Sequence, residues 1–179
     1  MADTSRSVAA LQVLFADNVA EEISPQDLRD FLVSVAPMHG ELSITATAET
    51  SITGAGWFLV AGTYGLTAGM SDEFDEAVNG YLRYTGTPTR MAVVTASISK
   101  IVAGNSKHVE FAIAKNGTVV TTSIIGALHK VGVDEGVIAV QSHVSMVTND
   151  TVAVFARNTT DTTNFTAEHL NLQAIAFIE

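Results

Sequence analysis

The chain has 179 residues, of which 47% are hydrophobic and only 16% are charged; its formal net charge is −10 and it contains no cysteine. Its nine lysines and arginines are too few to favour nucleic-acid phosphates or an anionic membrane surface as partners. The lack of cysteine excludes disulfides and thiolate metal sites. The length predicts one domain, and the surplus of apolar residues predicts that some apolar surface is buried between subunits.

The first predicted segment is an N-terminal arm, residues 1–22. The arm begins with polar residues, contains a short apolar run and ends in two glutamates. The apolar residues of the run are Leu11, Val13, Leu14 and Phe15. Such a run is too short for a membrane span or for the core of a signal peptide. We therefore expect a protein that is made in a cytoplasm and is not exported by a secretory signal.

Residues 23–40 are predicted to form one short helix and a linker. Ser24 can cap the helix, Pro25 suits its first position, and Pro37 ends it. Four apolar residues recur along it at helical spacing: Leu28, Phe31, Leu32 and Val35. A helix of about twelve residues is not stable alone, so this stripe packs either on its own domain or on copies of itself around a symmetry axis. The breaker before the strands slightly favours the second alternative.

Residues 41–179 show β-strand patterns separated by turns, with no helical pattern between them. The clearest strands are predicted at 91–101, 107–115, 119–125, 137–147, 151–158 and 170–178. Asn116-Gly117, between two of these strands, is a strong hairpin signal because both residues tolerate the positive φ of a type I′ turn. The spacing predicts an all-β fold, an antiparallel sandwich or barrel.

Two of the predicted strands are apolar on both faces. In strand 91–101, Val93 lies on the face opposite to its apolar neighbours. In strand 170–178, Ile175 and Phe177 lie on the same face as polar residues. A strand of this kind in an antiparallel sandwich, with no helix to cover it, needs another subunit on its outer side. The strand faces therefore predict an oligomer.

The sequence indicates no catalytic or metal-binding centre. The five histidines lack metal-ligand spacing; His143 is interpreted as an ordinary strand histidine, with a place on an oligomer axis as the alternative. The acidic loop 72–76 is interpreted as solvated, with calcium binding as the alternative. Four aromatic residues are interpreted as core rather than as a sugar-binding platform: Trp57, Tyr64, Tyr81 and Tyr84. We expect no enzymatic activity, no cofactor and no metal.

Several motifs resemble those of one family of viral proteins. They are YTGTPTRM at 84–91, VEFAIAKNG at 109–117, QSHVSMVTNDTV at 141–152 and LNLQAI at 170–175. In this order they resemble bacteriophage virion proteins with a tumour-necrosis-factor-like or complement-globular-head-like jelly roll. The segment ISPQDLRD at 23–30 resembles the short helix that precedes such heads.

The resemblance implies an antiparallel jelly-roll sandwich that forms a homotrimer and projects from a virus particle. It implies a structural virion protein that decorates the capsid as a cement or head-fibre protein. Its partner would be the major capsid protein or another virion protein. The alternative is the receptor-binding head of a tail fibre, which recognises a host surface glycan or protein. That alternative predicts exposed aromatic and polar residues clustered in loops far from the arm.

The resemblance also assigns roles to the residues already singled out. The N-terminal arm would hold the particle, because three weak arm contacts on one trimer add up to a stable attachment. The particle-anchoring residues are predicted to be Leu11, Val13, Leu14 and Phe15. The trimer contacts are predicted at the helix stripe and at the apolar outward strand positions, namely Leu28, Phe31, Leu32, Val35, Val93, Ile175 and Phe177.

Overall fold

The computed structural model describes residue 6 and residues 8–14, 23–129 and 136–178. The helices of this part are α1 (Val8–Leu14) and α2 (Pro25–Val35). The strands are β1 (Met38–Thr47), β2 (Glu49–Thr50), β3 (Phe58–Leu59), β4 (Gly62–Ser71), β5 (Phe74–Val78), β6 (Tyr81–Tyr84), β7 (Arg90–Val102), β8 (Lys107–Lys115), β9 (Thr118–Val119), β10 (Ile125–His129), β11 (Gly136–Met146), β12 (Thr151–Asn158) and β13 (Phe165–Ile178). Neither helix is long and apolar enough to cross a membrane.

The strands form two antiparallel sheets. Sheet A has the order β11-β7-β13-β1-β4, with β2 paired to β13. Sheet B has the order β10-β8-β12-β6-β5, with β3 on β12 and β9 on β8. Strands that are adjacent in a sheet are often distant in sequence, as with β13, which lies between β7 and β1. This is the predicted all-β, antiparallel jelly-roll sandwich, and the prediction of the fold class is confirmed.

The core lies between the two sheets and follows from the period-two alternation of the long strands. Along β7 the even-numbered side chains are buried and the odd-numbered ones face outward. On the facing sheet, Phe111 of β8 meets Phe165 of β13 edge to face, with ring centres 5.3 Å apart. Both side chains are almost fully buried, which stabilises the sandwich by about 25 cal/mol for each Å² of apolar surface removed from water.

The sandwich has two distinct ends. At the "helix end", Met38 of β1 pairs with Ala176 of β13, directly after α2. At the "far end", Val102 of β7 pairs with Phe165 of β13, and β12 leaves sheet B at Asn158. The N-terminal helix and the loop that follows β12 therefore lie at opposite ends of the molecule.

Helix α2 begins as the sequence predicts. The Ser24 hydroxyl accepts a hydrogen bond from the Asp27 amide at 3.2 Å, and the Asp27 carboxylate accepts one from the Ser24 amide at 2.8 Å. This reciprocal capping box satisfies two amides that the helix itself cannot bond. The helix ends at Val35, before Pro37. The first strand starts at Met38, earlier than the predicted residue 41. The reason is that Met38 pairs with Ala176, close to the C-terminal end of β13.

The predicted arm contains a helix that its composition did not indicate. Helix α1 occupies Val8–Leu14, and Arg6 beside it contacts α2. The Arg6 guanidinium lies 2.8 Å from a carboxylate oxygen of Asp30, and the Arg6 amide donates to the Ser34 hydroxyl at 2.7 Å. Part of the arm is thus packed against α2 rather than separate from the domain.

One strand prediction is wrong at a serine, and two glycines, Gly62 and Gly65, lie inside a strand. They belong to β4, where β1 packs closely; a Cβ on Gly62 would lie 3.0 Å from Ile44. The predicted strand 119–125 is interrupted by a turn of 3-10 helix, Thr121–Ser123. The Ser123 hydroxyl causes this interruption by bonding the Val120 carbonyl at 2.7 Å, in competition with strand pairing.

The other turns and faces agree with the sequence. Asn116 and Gly117 have φ values of 49° and 76°, and β8 pairs with β9 across them. The predicted hairpin is therefore confirmed. Along β11, Gln141 and His143 lie on the exposed face and Val144 on the buried one, as alternation predicted.

Candidate interaction surface

The side of sheet A that faces away from the core is the strongest candidate for a functional surface, and we call it the outer face. Strand register places its side chains in rows across the sheet. One row runs from His143 through Val93 and Ile175 to His39. Because these positions face away from the core on adjacent strands, the sheet brings Val93 and Ile175, two of the predicted trimer contacts, side by side.

An apolar patch occupies the outer face near the helix end. Met91 pairs with Phe177 and Val93 with Ile175 on the neighbouring strands β7 and β13. Phe177 is 46% exposed, and the other three are half-buried. Four adjoining apolar side chains on an exposed sheet face are typical of a protein–protein contact rather than of scattered surface residues.

A polar, uncharged band follows the patch along the same face. Thr95, Gln141 and Gln173 form one row of it, and Ser97 and Asn171 form the next. A hollow of about 440 Å³ lies over these residues. Hydroxyl and amide groups can bond either water or the same groups of another subunit.

Charge is excluded from the middle of the outer face. No outward residue of β7 between 91 and 101, or of β11 between 137 and 145, is Lys, Arg, Asp or Glu. Nearby Glu41 accepts hydrogen bonds from Thr67 at 2.7 Å and from Gln173 at 3.3 Å. In a chain with net charge −10, an uncharged face is a local exception, and charged residues are depleted from the centres of interfaces.

Helix α2 adds a second exposed apolar surface at the helix end. Leu28, Leu32 and Val35 are 54%, 58% and 43% exposed. Phe31 is half-buried. Three of the four residues of the predicted stripe are therefore exposed within the part of the chain that the structure describes.

A buried arginine fixes α2 to the sandwich. Arg90, at the start of β7, is fully buried and donates to the Ser34 carbonyl at 3.4 Å and to the Tyr84 hydroxyl at 3.2 Å. Its guanidinium also lies 3.7 Å from a carboxylate oxygen of Glu73. Burial, with the Glu73 charge as a second cause, raises the pKa of Tyr84 to about 12, so this phenol stays protonated. No sequence pattern indicated Arg90 as a structural residue.

The predicted anchoring residues fall into different environments. Leu11 is 5% exposed and packs within the chain, whereas Val13 is 78% exposed. The Leu14 side chain and the whole of Phe15 lie outside the described residues. Of this set, Val13 is thus the residue with a demonstrably accessible apolar side chain.

The other candidates from the sequence have ordinary structural settings. His143 is exposed beside a hollow of about 540 Å³ that Val93 also lines. The predicted acidic loop 72–76 is wrong in part, because Asp75 and Glu76 lie in strand β5 and only residues 72–73 form a turn. Asp75 is bonded to Arg83 at 2.6 Å, and Glu73 contacts the buried arginine. Within the described ranges, no group of three or more His, Asp or Glu side chains is arranged to hold a metal ion.

The four aromatic residues separate into two pairs. Tyr64 and Tyr84 belong to the core, and the Tyr64 hydroxyl donates to the Val60 carbonyl at 2.7 Å. Trp57 and Tyr81 lie instead in a smaller cluster with Phe155. The interpretation as core is thus confirmed for Tyr64 and Tyr84, and Trp57 and Tyr81 are half-buried against a second, smaller apolar core cluster.

Comparison with known proteins finds similar solved structures but no family. No protein-family profile matches the chain, and neither does any curated protein sequence. Among solved structures it is similar to Eiger TNF from S. frugiperda, with 9% identity and a TM-score of 0.49 over 80% of this chain and 94% of that one. It is also similar to murine APRIL at pH 5.0, with 10% identity and a TM-score of 0.46 over 78% of this chain and 99% of that one.

A third similar structure is the globular domain of zebrafish complement 1qA protein. Its identity is 9% and its TM-score 0.44, over 80% of this chain and 98% of that one. The structural neighbours are thus of the tumour-necrosis-factor and complement-head kinds. At such low identities and TM-scores, the likeness carries no information about activity, partners or a viral origin.

Proposed function

We propose that this chain is a structural protein of a bacteriophage particle, a homotrimeric capsid decoration protein whose N-terminal region attaches to the virion. The uncharged outer face of sheet A carries the first part of this proposal. An apolar patch that includes Val93 and Ile175, followed by a polar uncharged band, suits contact with copies of itself around a threefold axis. The motif resemblance in residues 84–175 supports the viral setting.

The helix end is the side proposed to face the particle. The exposed side chains of Leu28, Leu32 and Val13 lie on the two N-terminal helices, and Arg90 holds α2 to the sandwich through the Ser34 carbonyl. A firmly held helix transmits a particle contact to the whole domain. Three copies of a weak contact on one trimer then give a stable attachment.

No step of the proposed role is catalytic. In the acidic segment 72–76, Asp75 and Glu73 are engaged in ion pairs with Arg83 and Arg90. The role instead depends on burial of apolar surface between the subunits of one trimer. The acidic rest of the surface makes neighbouring trimers repel one another and so keeps them soluble.

Electron cryomicroscopy of purified particles that carry this protein tests the proposal. We expect threefold densities on the outside of the capsid, each with its helix end toward the shell. Replacing Val13 by Asp should remove these densities while the variant still folds. Val78→Asp is the matched control, because Val78 is 66% exposed in the sandwich. Absence of the protein from the particle, or attachment through the far end, would contradict the proposal.

A further inference from the structure

A cleft of about 370 Å³ opens at the far end of the sandwich, away from the outer face of sheet A. One wall is the loop that contains Gly54 and Ala55, and the other is the segment 157–162 that follows β12. Its volume is near the lower limit of the roughly 300–1,000 Å³ typical of small-molecule sites. The cleft is not part of the surface proposed for trimer contact.

The cleft wall is held in place by a buried asparagine. Asn158 is 3% exposed. Its amide nitrogen donates to the Thr163 carbonyl at 3.0 Å, and its amide oxygen accepts from the Thr160 amide at 2.9 Å. The Thr159 amide also donates to the His108 carbonyl at 2.9 Å. A loop fixed in this way loses little conformational entropy when a ligand binds.

The charged groups of the cleft are already paired. Arg157 donates from Nε to Glu110 at 2.7 Å, and Asp161 is bonded to Lys107. The Lys107 bond, with help from the Thr163 amide, lowers the pKa of Asp161 to about 2, so this carboxylate stays ionised at neutral pH. With each charge balanced by its neighbour, the cleft favours an uncharged ligand over a phosphate or a carboxylate.

Several hydrogen-bonding groups remain available to a ligand. The Arg157 guanidinium lies over the Trp57 ring, 4.7 Å from its centre, which fixes the plane of the guanidinium. Its two terminal nitrogens donate to no residue in the described ranges, and neither does the Thr162 hydroxyl. The Thr160 hydroxyl accepts from the His108 amide at 2.9 Å and keeps its own proton to donate.

We propose that this far-end cleft binds a neutral saccharide. Its wall combines threonine hydroxyls, one planar guanidinium with unused donors and a paired carboxylate, which together suit the donors and acceptors of a sugar ring. Gly54 lines the cleft without a side chain of its own. An apolar ligand would leave these polar groups unbonded at a cost in free energy.

Saccharide binding at this cleft would be a function additional to the proposed structural role, and it does not depend on that role. Because it lies at the end opposite to α2, a trimer attached through its helix end would present three such clefts outward. Weak binding of one sugar per cleft would then become multivalent on a glycan-covered surface. The same cleft would bind sugar in an isolated protein that attaches to no particle.

Binding is tested with the full-length chain on an array of neutral and acidic bacterial surface oligosaccharides. The strongest neutral binder is then measured in solution by saturation-transfer-difference NMR, with inorganic phosphate as the anionic probe. Gly54→Phe blocks the cleft, and no atom lies within 4 Å of the added Cβ to disturb the fold. Gly56→Phe is the matched control from the same loop, where the added Cβ meets only Phe58 at 3.9 Å.

The proposal predicts binding of a neutral oligosaccharide that falls at least tenfold in Gly54→Phe and is unchanged in Gly56→Phe. Thr162→Val, which removes one free hydroxyl, should weaken it several-fold. Three results would overturn the proposal: no neutral binder on the array, preference for phosphate or acidic sugars, or equal binding by Gly54→Phe and the parent protein. None of these results bears on the oligomeric state or on particle attachment.

Discussion

The guanidinium of Arg90 lies 3.4 Å from the main-chain carbonyl oxygen of Ser34, so a buried cation at the start of β7 binds the last turn of α2. Helices leave their last carbonyls without partners, and here the sandwich supplies one. This contact joins the N-terminal region, which is proposed to attach to the particle, to the sheet that is proposed to form the trimer.

Replacement of Arg90 by Met should therefore destabilise the protein and loosen α2. It leaves the Ser34 carbonyl and the Tyr84 hydroxyl without their donor, and the loss is expected to be roughly 2–4 kcal/mol. Urea unfolding followed by circular dichroism measures it. Arg83→Met is the control: Arg83 pairs with Asp75 at the surface, where ion pairs contribute little to stability, so its loss of stability should be much smaller. Equal effects of the two substitutions would contradict the role given to Arg90.

Replacement of Lys100 should stabilise the protein, whereas replacement of Arg90 should destabilise it. It is 1% exposed, its ammonium lies 5.7 Å from the centre of the Phe111 ring, and its nitrogen bonds no residue in the described ranges. Burial lowers its pKa from the usual 10.5. Lys100→Met should stabilise the protein by about 1–3 kcal/mol at neutral pH, because it removes a buried donor without a partner.

The pH dependence gives an independent check on Lys100. Since the folded state holds this proton less tightly than the unfolded state does, the parent protein gains stability as pH rises from the lowered pKa toward 10.5. The Met variant should lack this gain, so the stability difference between the two proteins should shrink at alkaline pH. Urea unfolding at neutral and alkaline pH measures both; a less stable variant would show that the ammonium has a partner.

Asn158→Ala tests the rigidity of the far-end cleft. The side chain makes hydrogen bonds to Thr163 and Thr160 from a buried position. Removal of this side chain should lower the free energy of unfolding by roughly 1–3 kcal/mol. It should also speed hydrogen exchange at the amides of residues 159–163. Thr162→Ala is the control in the same loop, and it should leave exchange unchanged. Unaltered exchange in Asn158→Ala would mean that other contacts order this loop.

Local patterns predicted a large part of the fold. Ser24, Pro25 and Asp27 mark the start of α2 through chemistry that works within one turn. Alternation along β7 and β11 correctly separated the buried faces from the outer face, because side-chain direction in a strand depends only on position. For the same reason, the position of Ile175 and Phe177 on the outer face was predictable.

The remaining features depend on residues distant in sequence. Arg90 has no periodic pattern around it, and its partners are Ser34, Glu73 and Tyr84. The cleft joins residues near 54 to residues near 160, which become neighbours only when β13 enters sheet A. The contact between Trp57 and Arg157 depends on the pairing of β3 with β12, which brings together segments about 100 residues apart in the sequence.

The central claim is that the chain forms a homotrimer through the outer face of sheet A, and the mass of the protein in solution tests it most directly. Analytical ultracentrifugation of the full chain at micromolar concentration should give three times the 18.8 kDa of one chain. The double variant Val93→Lys/Ile175→Lys should be a folded monomer, because the two substitutions place charges in the apolar patch of the outer face. The control variant Val78→Lys should remain a trimer. A stable, folded monomer of the parent protein, or a trimer that tolerates both lysines, would contradict the account.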